Sequence, residues 1–135
     1  MTTFEVISAE LGSAVPWCQR GGVHWLVVDQ SQIRMVADAM NRLCARFVTI
    51  TATELSGEEG LLLEYLWDLN GELLGFRVRL SGKAVESIFD LCPAVDWIER
   101  EVHEGFAIDF AGREYEPLLL RPGDKAGVNL REVPA

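Results

Sequence analysis

The period of apolar and polar positions changes along the chain, and each change predicts an element. Thr2 and Glu5 have the spacing of a capping box, and Phe4, Ile7 and Leu11 then share one helical face up to Gly12, which predicts a short first helix. Residues 15–18 and 23–28 read as two strands joined by a tight turn at Gly21-Gly22. Asp29, with Gln32 three residues later, is a second capping signal. Ile33, Val36, Ala37, Met40, Leu43 and Cys44 keep the helical period after it and predict an amphipathic helix to about Ala45. Residues 47–54 alternate, with Val48, Ile50 and Ala52 on one face and Thr49, Thr51 and Thr53 on the other, as in a strand.

The next segment predicts a hairpin with its register. A two-residue turn at Asn70-Gly71 sets Trp67 opposite Leu74, Tyr65 opposite Phe76, Leu63 opposite Val78 and Leu61 opposite Leu80, all on one face. On the other face Glu64 meets Arg77, and a slip of one residue breaks every match. That second face also carries Leu62, Leu66 and Leu73, and the first hairpin is apolar on both sides through Trp17, Leu26, Trp25 and Val27. Two explanations stand: helices or loops cover both faces, or the surplus is a docking surface for another protein.

From Ser81 the pattern is irregular until Pro93. Val95, Ile98, Val102 and Phe106 then line one face of a third helix, Asp96 and Arg100 are spaced to pair, and Gly105 is the expected stop. Residues 106–110 read as a short extended piece. The chain after Pro117 has no helical period and predicts a tail lying across a surface. The whole is one α+β domain in two layers, with about five strands: a compact body over 1–116 and an extended tail over 117–135.

Composition narrows the function classes. The chain of 135 residues is 49% hydrophobic and 24% charged, ordinary for a folded domain. Its net charge of −9 argues against nucleic acid and anionic lipid as partners, since both need clustered Lys and Arg. Cys18, Cys44 and Cys92 lie too far apart for a metal clamp and are odd in number, so reduced, buried thiols in a cytoplasmic protein are expected. No N-terminal basic-then-apolar leader and no apolar run of membrane-spanning length is seen.

Candidate chemistry is thin. Gly21-Gly22 and the glycines at 57 and 60 lack the spacing of phosphate-cradling loops. Cys92, His103 and Asp96 are the best triad that can be assembled, and a stand-alone enzyme or small-molecule binding module with a pocket near Cys92 and His103 is the alternative function. A buried thiol, a surface histidine and a helix-start carboxylate explain the same residues without catalysis. Glu99 and His103, one turn apart, are two ligands where a metal wants three or four, and His24 sits in a predicted strand, so a solvated helix face is the simpler reading. The carboxylates Glu99, Glu101 and Glu104 on one helix read as surface charge. A regulatory protein binding through this acidic helix is a third possibility.

The run from Asp96 to Gly112, DWIEREVHEGFAIDFAG, resembles the signature of the 30 kDa subunit family of respiratory NADH:quinone oxidoreductase (complex I). Trp97, Glu99, Arg100, Glu101, Val102, Phe106, Ile108, Phe110 and Gly112 carry the match, and the upstream order of helix, ARFVTITA and hairpin agrees with it. Two features depart: Glu104-Gly105-Phe106-Ala107 replaces the family's Asp-x-Phe-Gly, and Gly127-Val128-Asn129-Leu130-Arg131 stands where a PLRKD element is usual. In these the chain looks more like the related small subunits of membrane-bound energy-converting nickel–iron hydrogenases and formate hydrogenlyases. The resemblance implies an α+β fold with a mixed sheet and helices mainly on one face. It implies a non-catalytic, cofactor-free subunit in the cytoplasmic peripheral arm, reaching the inner membrane only through partners. Those partners would be a large subunit, 49-kDa-like or of nickel–iron hydrogenase type, and iron–sulfur subunits. They would carry the iron–sulfur clusters and, in a hydrogenase, the nickel–iron site. It further implies that Glu99, Arg100 and Glu101 are structural or interface charges and that Trp97 and Phe106 are packing anchors. Ile108, Phe110 and Gly112 belong to the same contact patch, and the tail from Pro117 runs onto the large subunit.

Overall fold

The structure is a computed structural model that describes residues 2–56 and 60–130; residues 57–59, part of the glycine segment considered above, and Arg131 with the rest of the tail lie outside them. Helix α1 (Thr3–Leu11) opens on the Thr2–Glu5 capping box and ends at Gly12 in the left-handed conformation. Strand β1 (Cys18–Arg20) turns at Gly21-Gly22 into β2 (Val23–Val28). The first strand therefore begins at Cys18 rather than at 15. Before it, Trp17 drops under the sheet, where its indole N–H donates to the Phe4 carbonyl and the Ser8 hydroxyl.

The Asp29–Gln32 box caps a 3-10 turn (Gln30–Gln32) that runs into helix α2 (Ile33–Arg42). This helix stops at Arg42, short of Ala45, because Cys44 adopts φ 59 and Ala45 N–H bonds back to the Met40 carbonyl. Three long antiparallel strands follow: β3 (Arg46–Glu54), β4 (Leu61–Leu69) and β5 (Glu72–Leu80). All four predicted apolar pairs and the Glu64–Arg77 pair are present in the β4–β5 register, and the two charges meet at 3.2 Å.

Beyond the hairpin lie β6 (Ala84–Glu86), a 3-10 turn (Pro93–Val95), helix α3 (Asp96–Phe106) and β7 (Asp109–Ala111). The main sheet runs β1-β2-β5-β4-β3 and is mixed, because β2 and β5 are parallel; β6 and β7 form a separate parallel pair. The α+β class with a mixed five-stranded sheet is thus as the pattern and the resemblance imply.

One face of the sheet makes the core. Leu26, Ile50, Leu63, Tyr65, Trp67, Leu74, Phe76 and Val78 are buried against Ile7 and Leu11 of α1, Ile33, Val36 and Met40 of α2, and Val102 of α3. Val48 is not among them. A bulge between Phe47 and Thr49 rotates it outward and puts Phe47 opposite Trp67 instead, which corrects the predicted Val48–Ile50–Ala52 face.

The opposite face carries Leu62, Leu66, Leu73, Trp25 and Val27, half-buried or exposed. Its largest side chain lies flat on its neighbour strand: a Cβ on Gly75 would sit 2.3 Å from the Trp25 ring. Among the described residues, no helix is long and apolar enough to cross a membrane.

Candidate functional site

Helix α3 and the segments that wrap it hold most of the buried charge of this protein. Val95, Glu99, Val102 and Phe106 stand at i, i+4, i+7 and i+11, so the inward stripe of α3 contains a carboxylate. Glu99 is fully buried. This corrects the expectation of a solvated helix face. Burial drives its pKa up, and its bonding partners work against that shift. The Ser87 hydroxyl donates to Oε1 at 2.6 Å, the Ile88 N–H to Oε2 at 3.0 Å, and Arg113 Nη1 to Oε1 at 3.2 Å.

Arg113 is the counter-charge. Its side chain is 5% exposed, and its other terminal nitrogen pairs with Asp96 at the start of α3. The guanidinium lies over Phe89 at 4.7 Å and over Tyr115 at 5.1 Å. Asp96 also accepts from Arg100 at 3.3 Å, the predicted i,i+4 pair. The phenol of Tyr65 feels the Glu99 charge from β4, and burial followed by that charge raises its pKa. Ser87, Arg113 and Tyr115 lie in irregular segments and were not singled out from the sequence; the one legible signal was Glu99 itself, on an otherwise apolar stripe.

Glu104, also expected on the surface, is buried and does different work. Its Oε2 accepts from the Leu118 N–H at 2.8 Å, and its Oε1 from those of Leu119 at 2.8 Å and Leu120 at 3.1 Å. Burial opposes its ionisation, but the three backbone donors and the neighbouring His103 outweigh it and hold the pKa below the ordinary glutamate value. The tail also closes the end of α3, where carbonyls lack helical partners. Gly127 N–H bonds the Glu104 carbonyl at 2.7 Å, and Asn129 N–H bonds that of Gly105 at 2.7 Å.

Gly105 does not stop the helix; α3 continues to Phe106 and ends at Ala107 in the left-handed conformation. The glycine instead makes room for the tail, since a Cβ there would lie 2.6 Å from Asn129 Nδ2. Among the three helix carboxylates only Glu101 is exposed.

The remaining predicted residues fall in distinct places. Trp97 projects from α3 with 70% of its surface exposed, under Arg100 at 5.7 Å, while Ile108 and Phe110 are buried and Phe106 is half-buried. Gly112 is an exposed turn residue just before Arg113.

Cys92 is buried, and burial pushes its thiol pKa up, away from the reactive thiolate. Cys18 and Cys44 are exposed, against the expectation of buried thiols. The members of the hypothetical triad bond elsewhere: Asp96 holds Arg100 and Arg113, and His103 donates from Nδ1 to the Ile108 carbonyl at 2.8 Å. The His103 ring stacks on Tyr115 at 3.9 Å, so it is half-buried rather than a free surface imidazole. His24 packs its ring on Phe4. Among the described residues, no group of three or more His, Cys, Asp and Glu side chains gathers as a metal would require.

Known proteins share the sequence pattern and the fold of this chain. Residues 26–133 match the family described as respiratory-chain NADH dehydrogenase, 30 kDa subunit. A NADH-quinone oxidoreductase subunit of Rhodopseudomonas palustris (strain BisB18) is 30% identical over 118 aligned residues, covering 80% of this chain. This chain spans 59% of that relative's length. Among solved structures, the trypsin-resistant fragment (1-134) of Nqo5 superposes with a TM-score of 0.70 at 19% identity, covering 86% of this chain and all of the fragment. A chain of the membrane-bound sulfane sulfur reductase, an archaeal respiratory membrane complex, gives 0.74 at 21% identity over 93% of this chain and 79% of its own. Those two likenesses establish a shared fold. The extent of the match, which takes in α3, β7 and the segment that wraps them, establishes descent: the chain belongs to the 30 kDa subunit family of the respiratory-chain NADH dehydrogenase.

Proposed function

We propose that this chain is a non-catalytic, cofactor-free subunit in the peripheral arm of a complex-I-like, membrane-attached oxidoreductase. It docks on the large subunit and supports assembly and electron transfer by its partners. The assembly is a NADH:quinone oxidoreductase or the equivalent energy-converting nickel–iron hydrogenase. The iron–sulfur clusters, and in a hydrogenase the nickel–iron site, are carried by those partners. Residues 1–116 form the compact body and 117–135 the partner-contacting tail; the location is cytoplasmic, against the inner membrane through the complex.

The observation that carries this reading is the contrast across α3. Its inner side is locked by buried, fully engaged charges, while Trp97 stands out from the other side. Locking a helix and baring its tryptophan suits recognition, because interface energy concentrates in rigidly presented aromatic anchors. Arg100 and Glu101 border that anchor, Glu99, Phe106, Ile108 and Phe110 support it from behind, and Gly112 makes the exposed turn that leads into Arg113.

Purification of the tagged chain from its native host, under mild ionic strength, tests the proposal. Recovery of a large subunit and an iron–sulfur subunit in fixed ratio is expected. A stable monomer with no such companions would defeat it.

A further inference from the structure

Among the described residues, seven large hydrophobic side chains are exposed, and the two most exposed are Trp97 at 70% and Leu119 at 74%. They are 22 positions apart in the chain, yet the fold brings both to one stripe of α3. Trp97, Arg100 and Glu104 stand at i, i+3 and i+7, on the same side of the helix, with the ends about 10 Å apart. Arg100 lies against the Trp97 ring and also donates to the Glu116 carbonyl at 3.4 Å. Glu104 then holds the N–H groups of Leu118, Leu119 and Leu120.

The tail therefore crosses α3 on the side that carries Trp97, and Leu119 is pinned there by its backbone while its side chain stays in solvent. Intramolecular packing explains neither side chain. Glu101 on α3, Glu114 and Glu116 beside Arg100, and Asp124 beside Arg121 are exposed acids on this surface, against Arg121 and Lys125 as exposed cations and the half-buried Arg100.

We propose that Trp97 and Leu119 form a two-point apolar anchor for a protein partner with a basic rim, and that Glu104 is the positioning residue that sets the second point. Glu104 touches no partner in this scheme. Its carboxylate fixes the backbone on either side of Leu119, so that the leucine is presented without an ordering cost at docking. The acidic surround selects a basic rim by charge complementarity and makes association salt-dependent. The inference rests on the docking role proposed above and adds the residues that perform it.

The test is a double-mutant cycle. Each variant of the full chain is titrated into the remaining subunits of the assembly, expressed without it. Trp97→Ser and Leu119→Ser should each weaken binding roughly tenfold or more, as anchor residues do, and their effects should multiply. Glu104→Gln should weaken it about as much as Leu119→Ser. Adding Leu119→Ser to Glu104→Gln should then change little, because the leucine is already unplaced. Rising salt should lower the wild-type affinity.

Wild-type affinity in Leu119→Ser, or full multiplication of Glu104→Gln with Leu119→Ser, overturns the proposal. So does self-association of the isolated chain that Trp97→Ser abolishes, since the occupant would then be a second copy. Amide exchange reports whether Glu104→Gln keeps its core strands. If it does not, the two solvent-exposed substitutions decide alone. Failure of the wild type to bind the remaining subunits at all would remove the docking role itself, a result separate from the loss of these particular anchors.

Discussion

At the scale of single residues, the pairing of Glu99 with Arg113 sets the largest energetic stakes. Both side chains are nearly dry, at 0% and 5% exposure, so each depends on the other for the interactions that water would have supplied. Breaking such a pair from one side costs more than the pair contributes, because a charge is left behind without a partner. Arg113→Ala leaves Asp96 its Arg100 partner but strands the buried Glu99 without a counter-charge, and is expected to destabilise the fold by about 3 kcal/mol. Glu99→Gln keeps the shape and an acceptor for Ser87 or Ile88 and leaves Arg113 paired with Asp96, so a loss of only about 1 kcal/mol is expected. Denaturant unfolding of the two variants checks the order. Equal losses, or a larger loss for Glu99→Gln, would show that the ion pair is not what holds the start of α3. Glu99 reads from the sequence as surface charge, although its place on one stripe with Val95, Val102 and Phe106 turns it inward. Arg113 and Ser87 sit where no periodicity tells inside from outside.

At the scale of elements, legibility follows the range of the interactions that build each one. The β4–β5 hairpin was readable to the residue because two period-2 patterns flank a turn whose geometry is local: Asn70 and Gly71 have φ 52 and 89, the paired positive angles of a tight two-residue turn. The cap of α1 and the Asp29 box were readable for the same reason, each closing within three residues. What was missed is non-local or chemically unmarked. Val85 finds Phe110 across 25 positions to make the β6–β7 pair: β6 lies in the irregular stretch after Ser81, and the extended piece at 106–110 gives no sign of its partner. Cys44 ends α2 in a conformation usually given to glycine, and the bulge at Val48 depends on how β3 must bend against β4. The turn offers a direct check. Gly71→Ala forces a Cβ into the left-handed region and should cost about 1 kcal/mol in thermal or denaturant stability with the β4–β5 pairing intact. A neutral result would mean that the cross-strand pairs, rather than the turn, select the register.

At the scale of the whole molecule, the question is what joins the tail to the body. The body has one buried core, whereas the tail reaches α3 chiefly through backbone N–H groups accepted by the Glu104 carboxylate and by the carbonyls of Glu104 and Gly105. Only the first of these acceptors titrates. Because the donors hold Glu104 below its ordinary value in the folded chain, its contribution is complete above the unfolded pKa and is lost as pH falls through the folded one. Acid should therefore loosen the tail in a window lying below the ordinary glutamate range. Asp29, Asp68 and Asp90 are lowered as well, so bulk unfolding would also respond to acid and cannot serve as the readout. The buried Glu99, raised by its burial, works in the opposite sense, adding most below its unfolded pKa and losing that share as pH rises through the folded one. The discriminating measurement is the amide resonances of Leu118, Leu119 and Leu120. All three should shift with a single midpoint, that of the Glu104 carboxyl, while the amides of Leu63 and Val78 in the core stay fixed. In Glu104→Gln the transition should vanish, and in Glu101→Gln, on the exposed side of the same helix, it should persist. Three different midpoints, or a transition that survives Glu104→Gln, would mean that the tail is held by packing around Tyr115 and Leu120 and not by the carboxylate.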